Sequence, residues 1–152
     1  MIKNSFASLL VGVVVNFPAS LNAGGIYNSN LNVTINGLKN ERGQVCLSLF
    51  SSRQGFPRST ARAVEARCVK VAAPPLKVNF RDLKVGSYAI AVFHDANSDG
   101  TLNSNGLGIP TEEFGFSQNP TILVGSPKFG DAAVLVVGPE TNIQIQLQFF
   151  GG

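Results

Sequence analysis

The stretch "VNFRDLKVGSYAIAVFHD", residues 78–95, decides the fold. Its second half, "SYAIAVF" (87–93), places Tyr88, Ile90 and Val92 on one side of an extended chain and Ser87, Ala89 and Ala91 on the other. That period of two is the spacing of a strand, whose successive side chains point to opposite faces. The first half is a connection. Phe80 and Leu83 are spaced to cap a core, Gly86 permits a tight or left-handed turn, and Tyr88 opens the next strand with a ring whose hydroxyl can bond back to the connection.

Outward from this stretch, the same alternation recurs in "LNVTING" (31–37), "QVCLSLF" (44–50), "VEARCVKV" (64–71), "LKVNF" (76–80), "AAVLVV" (132–137) and "NIQIQLQF" (142–149). In the last of these, Ile143, Ile145, Leu147 and Phe149 share one face and the glutamines the other. Breakers separate the runs at residues 40–43, at Pro74-Pro75, at 84–86 and at Gly138-Pro139. No segment carries a helical stripe. The expectation is an all-β domain, a seven-stranded antiparallel β-sandwich spanning residues 31–150, preceded by a short linker at 24–30.

The "F-x-x-L-x-x-G-x-Y" turn resembles that of prealbumin-like, transthyretin-like sandwich modules. Joined to "HDANSDGTLNSNGLGIPTEEFGFSQNP" and "PKFGDAAV", it resembles the exported bacterial family known as domain of unknown function 2141, over about residues 31 to 149. The resemblance implies a secreted prealbumin-like sandwich and implies no activity.

The first 23 residues, "MIKNSFASLLVGVVVNFPASLNA", combine one cation at Lys3, an apolar stretch from Phe6 to Val15 and a small residue at Ala23, the pattern of a secretory signal peptide. The apolar stretch is too short to span a bilayer, so no transmembrane anchor is expected after cleavage. The formal charge of +3 falls by one when Lys3 is removed, and Arg53, Arg58, Arg62, Arg67 and Lys70 are scattered without interleaved aromatics. Nucleic acid is therefore not an expected partner. Export to a periplasm or the medium suits Cys46 and Cys68, both in strand-like runs, which are expected to pair as a disulfide.

Between Phe93 and Pro120 lie 26 residues without a clear strand or helix, residues 94–119, far longer than a hairpin needs. Asp95, Asn97, Asp99 and Asn103 occupy positions 1, 3, 5 and 9 of a calcium loop, Gly100 supplies the bend at position 6, and the carbonyl of Thr101 adds a ligand. Position 12, where a bidentate glutamate belongs, is Gly106; Glu112 or Glu113 would have to fold back in its place. Two readings follow: a loop ordered by Ca²⁺, or a network in which Asp and Asn side chains bond neighbouring amides without a metal.

His94 is the sole histidine. A small secreted hydrolase would use it as general base, with Asp95 as orienter and Ser98, Ser104 or Ser117 as nucleophile, yet adjacent strand residues face opposite ways. Glu112 and Glu113, also adjacent, are poorly placed to flank a glycosidic bond. Phe114 and Phe116 around Gly115 either tuck beneath the loop as a small core or, with His94, form a contact surface for a protein or glycan partner. The basic loop 51–63, anchored by Phe56 and Pro57, lies at one end of the sandwich or the other. The functional expectation is a non-enzymatic exported module that binds through its long loop, with the hydrolase as the alternative.

Overall fold

The sandwich follows from the alternating runs. In the computed structural model, which describes residues 28–151, β1 (Ser29–Asn36), β4 (Leu76–Leu83) and β8 (Glu140–Gln146) form one sheet in the order β4-β1-β8. The second sheet holds β3 (Glu65–Lys70), β2 (Gln44–Phe50), β5 (Gly86–Asp95) and β6 (Phe114–Phe116) in that order, with β7 (Val134–Val136) paired to the other half of β5. The signal peptide and most of the linker expected at residues 1–30 lie outside the described residues. No described helix is long and apolar enough to cross a membrane.

Two details differ from the expected seven antiparallel strands. There are eight, because Phe114–Phe116 forms a strand of its own against Ala91–Phe93. Three residues are too few for periodicity to register. The last strand also runs parallel to the first, Asn30 through Asn36 pairing with Glu140 through Gln146, a direction that alternation alone does not encode. The expected 132–137 strand shortens to Val134–Val136 behind one helical turn, α1 (Phe129–Ala132).

Between the sheets lies the main core, with Leu31, Val33 and Ile35 of β1, Val45, Leu47 and Leu49 of β2, and Tyr88, Ile90 and Val92 of β5. Phe80 and Leu83 are buried as their spacing implied, and the Tyr88 hydroxyl donates to the Lys84 carbonyl at 2.9 Å. The left-handed residue of that turn is Asp82, at φ 56°, rather than Gly86.

The opposite face of β5 is apolar too. Ala89, Ala91 and Phe93 join Phe114, Phe116 and Ala132 in a second cluster on the outside of the larger sheet. Burial on both faces explains why "AIAVF" is a nearly continuous apolar run. Phe56 locks the 51–63 loop into this layer, its ring edge-on to Phe50 at 5.4 Å and to Phe129 at 6.0 Å.

β6 also joins the two sheets. Phe114 and Gln148 exchange backbone hydrogen bonds of 2.9 Å in both directions. A Cβ at Gly115 would lie 2.8 Å from the Gln146 carbonyl oxygen, so this crossing requires glycine. Asn119 then acts as a substitute strand for the outer edge of β8: its Oδ1 accepts from Gln146 N at 2.8 Å and its Nδ2 donates to Gln144 O at 3.1 Å. An edge that would otherwise recruit another chain is thus partly filled. At the far side, Arg67 of β3 stacks over Phe80 and donates to the Asn79 carbonyl, tying β3 to β4.

Cys46 and Cys68 stand opposite each other in the β2–β3 register and form the disulfide across 22 residues. Replacing both by serine should cost about 3 kcal/mol, read as a lower urea midpoint at unchanged slope. Tyr88→Phe, which deletes one hydroxyl and keeps the ring, should cost about 1 kcal/mol in the same assay.

Candidate functional site

Two consecutive buried polar residues end β5: His94 meets Glu113, which precedes β6, and Asp95 meets Gln44 and the amides of the long loop. His94 and Asp95 are both fully buried, and strand geometry sends their side chains to opposite faces. His94 Nε2–H donates to the Arg42 carbonyl at 2.7 Å, while Nδ1 lies 3.2 Å from Glu113 Oε2. Glu113 Oε1 is buried without a partner. The backbone reinforces the pairing, as His94 N donates to Glu113 O at 2.8 Å.

On the other face, Asp95 organises the loop. Its Oδ2 accepts from Gln44 Nε2 and from Gly100 N, each at 2.8 Å, and its Oδ1 accepts from Asp99 N at 3.1 Å. Gly100 bends there with φ 77°, as expected of the position after Asp99. Glu112 does fold back over the loop, and it meets amides: Oε1 accepts from Ala96 N at 3.2 Å and Oε2 from Asn103 N at 2.9 Å.

The side chains of Asn97, Asp99 and Asn103 converge above this frame. Asp99 Oδ2 accepts from Asn97 at 3.0 Å and from Asn103 at 2.9 Å, and Asp99 Oδ1 accepts from Thr101 N at 2.9 Å. Of the six residues expected to ligate calcium, Asp95, Asn97, Asp99, Asn103 and Glu112 are joined through amides and one another, and Thr101 enters through its N–H. Among the described residues, no group of three or more His, Cys, Asp or Glu side chains is placed to hold a metal ion. The hydrogen bond from Asn103, then those from Thr101 and Asn97, hold the Asp99 carboxyl below its ordinary pKa of 3.8.

The contact surface expected of His94, Phe114 and Phe116 needs correction at His94, which has no exposed surface. Phe114 and Phe116 are the small core beneath the loop, their rings edge-to-face at 5.9 Å. Ser117, a suggested nucleophile, is also fully buried; it accepts from Ile90 N at 2.8 Å and donates to the Ala132 carbonyl, stapling β5 to α1.

What the loop does present is a cleft. It folds over the outer face of the larger sheet and leaves a cavity of about 660 Å³, floored by Phe93, Phe114 and Phe116 and walled by Leu102, Ile109 and Ile122. Pro57 and Arg58 form part of its rim, which places the 51–63 loop beside the long loop. Leu107, Leu123 and Val124, between 80% and 92% exposed, adjoin the lining residues Gly108, Ile122 and Gly125 in sequence. The sequence contained a signal for this cleft in those apolar residues within otherwise polar, Gly-rich loops, where nothing in a loop's own folding requires them.

Asp95→Ala should leave Gln44 Nε2 and Gly100 N without an acceptor and Asp99 N with Asn97 Oδ1 alone, and destabilise the protein by about 2 to 3 kcal/mol, with faster amide exchange at Gly100. Because the Asp99 pKa is lower in the folded loop than in the unfolded chain, its contribution is present above pH 3.8 and is lost as pH falls further through the folded value. Protection of the Thr101 amide, its exchange relative to an unstructured amide at the same pH, should therefore fall on acidification below that point, and Asp99→Asn should remove the dependence.

Comparison with known proteins bears on family alone. No curated protein and no solved structure matches the chain. A family model described as "Uncharacterized protein conserved in bacteria (DUF2141)" matches residues 33–144, from the middle of β1 to the middle of β8, and so includes both sheets, the disulfide, the long loop and the glutamate pair. The chain belongs to this bacterial family.

Proposed function

We propose that this protein is an exported, non-enzymatic binding module that takes its ligand in the cleft between the long loop and the outer face of the larger sheet. The cleft itself carries the reading. At about 660 Å³ it falls in the range of small-molecule sites, with an aromatic floor, aliphatic walls and a few polar groups at its rim. Export rests on the signal-like first 23 residues and accords with the disulfide. The hydrolase alternative needs a base that reaches substrate. His94 is enclosed with both ring nitrogens engaged, which favours the structural role.

A fragment screen by two-dimensional NMR on the disulfide-bonded protein tests the proposal. Binders should shift the amides of Leu102, Ile109 and Ile122 together, and Ile122→Glu should abolish those shifts without unfolding the sandwich. Shifts elsewhere, or none, would remove the cleft from consideration.

A second reading, calcium ordering of the loop, is favoured by one observation: the side-chain tips of Asn97, Asp99 and Asn103 already meet within 2.9 to 3.2 Å. Rotation of the two amides would turn oxygens toward the same point. Calorimetric titration should then give a saturable signal with a dissociation constant of about 10⁻⁴ to 10⁻³ M, lost in Asp99→Ala. A melting temperature indifferent to millimolar Ca²⁺ and to chelator would leave the amide network as the whole account.

A further inference from the structure

The apolar cleft continues into a second, cationic depression, and the two share Pro57, Arg58 and Ser126. The second part adds Arg53 and Lys128. None of the described residues lining either part is a carboxylate. Glu112 and Glu113, the nearest acids in sequence to β6, are buried and turned onto loop amides and His94. The groove therefore has polarity along its length: a floor and wall of Phe and Ile at one end, and Arg53, Arg58 and Lys128 at the other, where the one adjoining acid among the described residues is Asp131, whose carboxylate accepts from the Lys128 amide at 2.9 Å.

At the junction stands Arg58. Its Nη2 donates to Ser126 Oγ at 3.2 Å, which holds the guanidinium between the two segments that form the rim. A guanidinium presents paired N–H donors that match a carboxylate in two parallel hydrogen bonds. A fully apolar ligand would leave these cations unused. A small anion would leave the aromatic floor unused. One chemistry uses both halves: an extended hydrocarbon chain that lies on Phe93, Phe114 and Phe116 and ends in one negative charge at Arg58.

Resting on the binding-module reading above, we propose that the ligand is a single-chain anionic amphiphile, a fatty-acid-type carboxylate, with its acyl chain in the Phe-lined cleft and its head on Arg58. Arg53 and Lys128, further along and exposed, raise the local concentration of such anions through their field. The carboxylate is preferred over a dianionic head because one cation, Arg58, occupies the junction.

Isothermal titration of the disulfide-bonded protein with dodecanoate, 1-dodecanol and dodecyl phosphate, each below micellisation, tests this. Dodecanoate should bind in one saturable step, at least about tenfold more tightly than 1-dodecanol. Arg58→Ala should erase that advantage while leaving the affinity for 1-dodecanol unchanged; Arg58 is exposed, so the fold is not at issue. Ile109→Glu should weaken both ligands. Equal affinity for dodecanoate and 1-dodecanol, or an Arg58→Ala variant that keeps the preference, would overturn the anionic head and leave the cleft as an apolar binding site. Dodecyl phosphate at tenfold higher affinity than dodecanoate would overturn the carboxylate. Absence of binding by all three, with fragments still shifting Leu102, Ile109 and Ile122, would overturn the amphiphile and leave the binding module standing.

Discussion

The loop and its cleft depend on one constraint: two polar residues buried side by side at the end of β5 must both be satisfied. Extended backbone sends His94 and Asp95 to opposite faces, so no single partner can serve both. The chain answers His94 with Glu113 and Asp95 with Gln44 and loop amides. Glu113 enters the His94 side, Glu112 enters the side of the loop amides that Asp95 also serves, and the backbone bond from His94 N to Glu113 O aligns the two pairs. A buried polar group left without a partner costs several kcal/mol, so Asp95 holds the Asp99 and Gly100 amides and Gln44, and His94 holds the returning Glu113.

That return is what creates β6. Once Glu113 is placed beside His94, the next three residues lie along β5, and Phe114 and Phe116 fall onto Ala89, Ala91 and Phe93. Gly115 passes over β8 with no room for a side chain. The same short strand thereby closes one side of the sandwich through Gln148 and floors the cleft on its outer face. A rigid two-layer scaffold supports a loop whose inner side is committed to hydrogen bonds and whose outer side is free to vary in chemistry.

The outer layer explains the composition of the larger sheet. Small residues at Ala89 and Ala91 leave space above β5, and Phe56, Phe114, Phe116 and Phe129 fill most of it in edge-to-face contacts. The space left unfilled is the cleft. Its cationic end comes from a loop that is distant in sequence and is held by the same aromatic layer, since Phe56 anchors Pro57 and Arg58.

Alternation along the chain was sufficient to identify all-β architecture, the members of the main core and the Tyr88 turn, because strand period and turn chemistry are local properties. The Asp and Asn spacing of residues 95–103 likewise marked an ordered loop. Three features were decided only by tertiary structure. Strand direction for β8 depends on the path of the whole chain back to β1. The three-residue β6 exists because β5 lies beside it, not through any propensity of its own. The side on which Glu112, Glu113 and His94 point depends on register between segments about twenty residues apart. The cleft belongs to this last class: its apolar residues are visible in the sequence, but only the fold of the loop over the sheet brings them to face one another, because a cavity is a relation between surfaces that are remote along the chain.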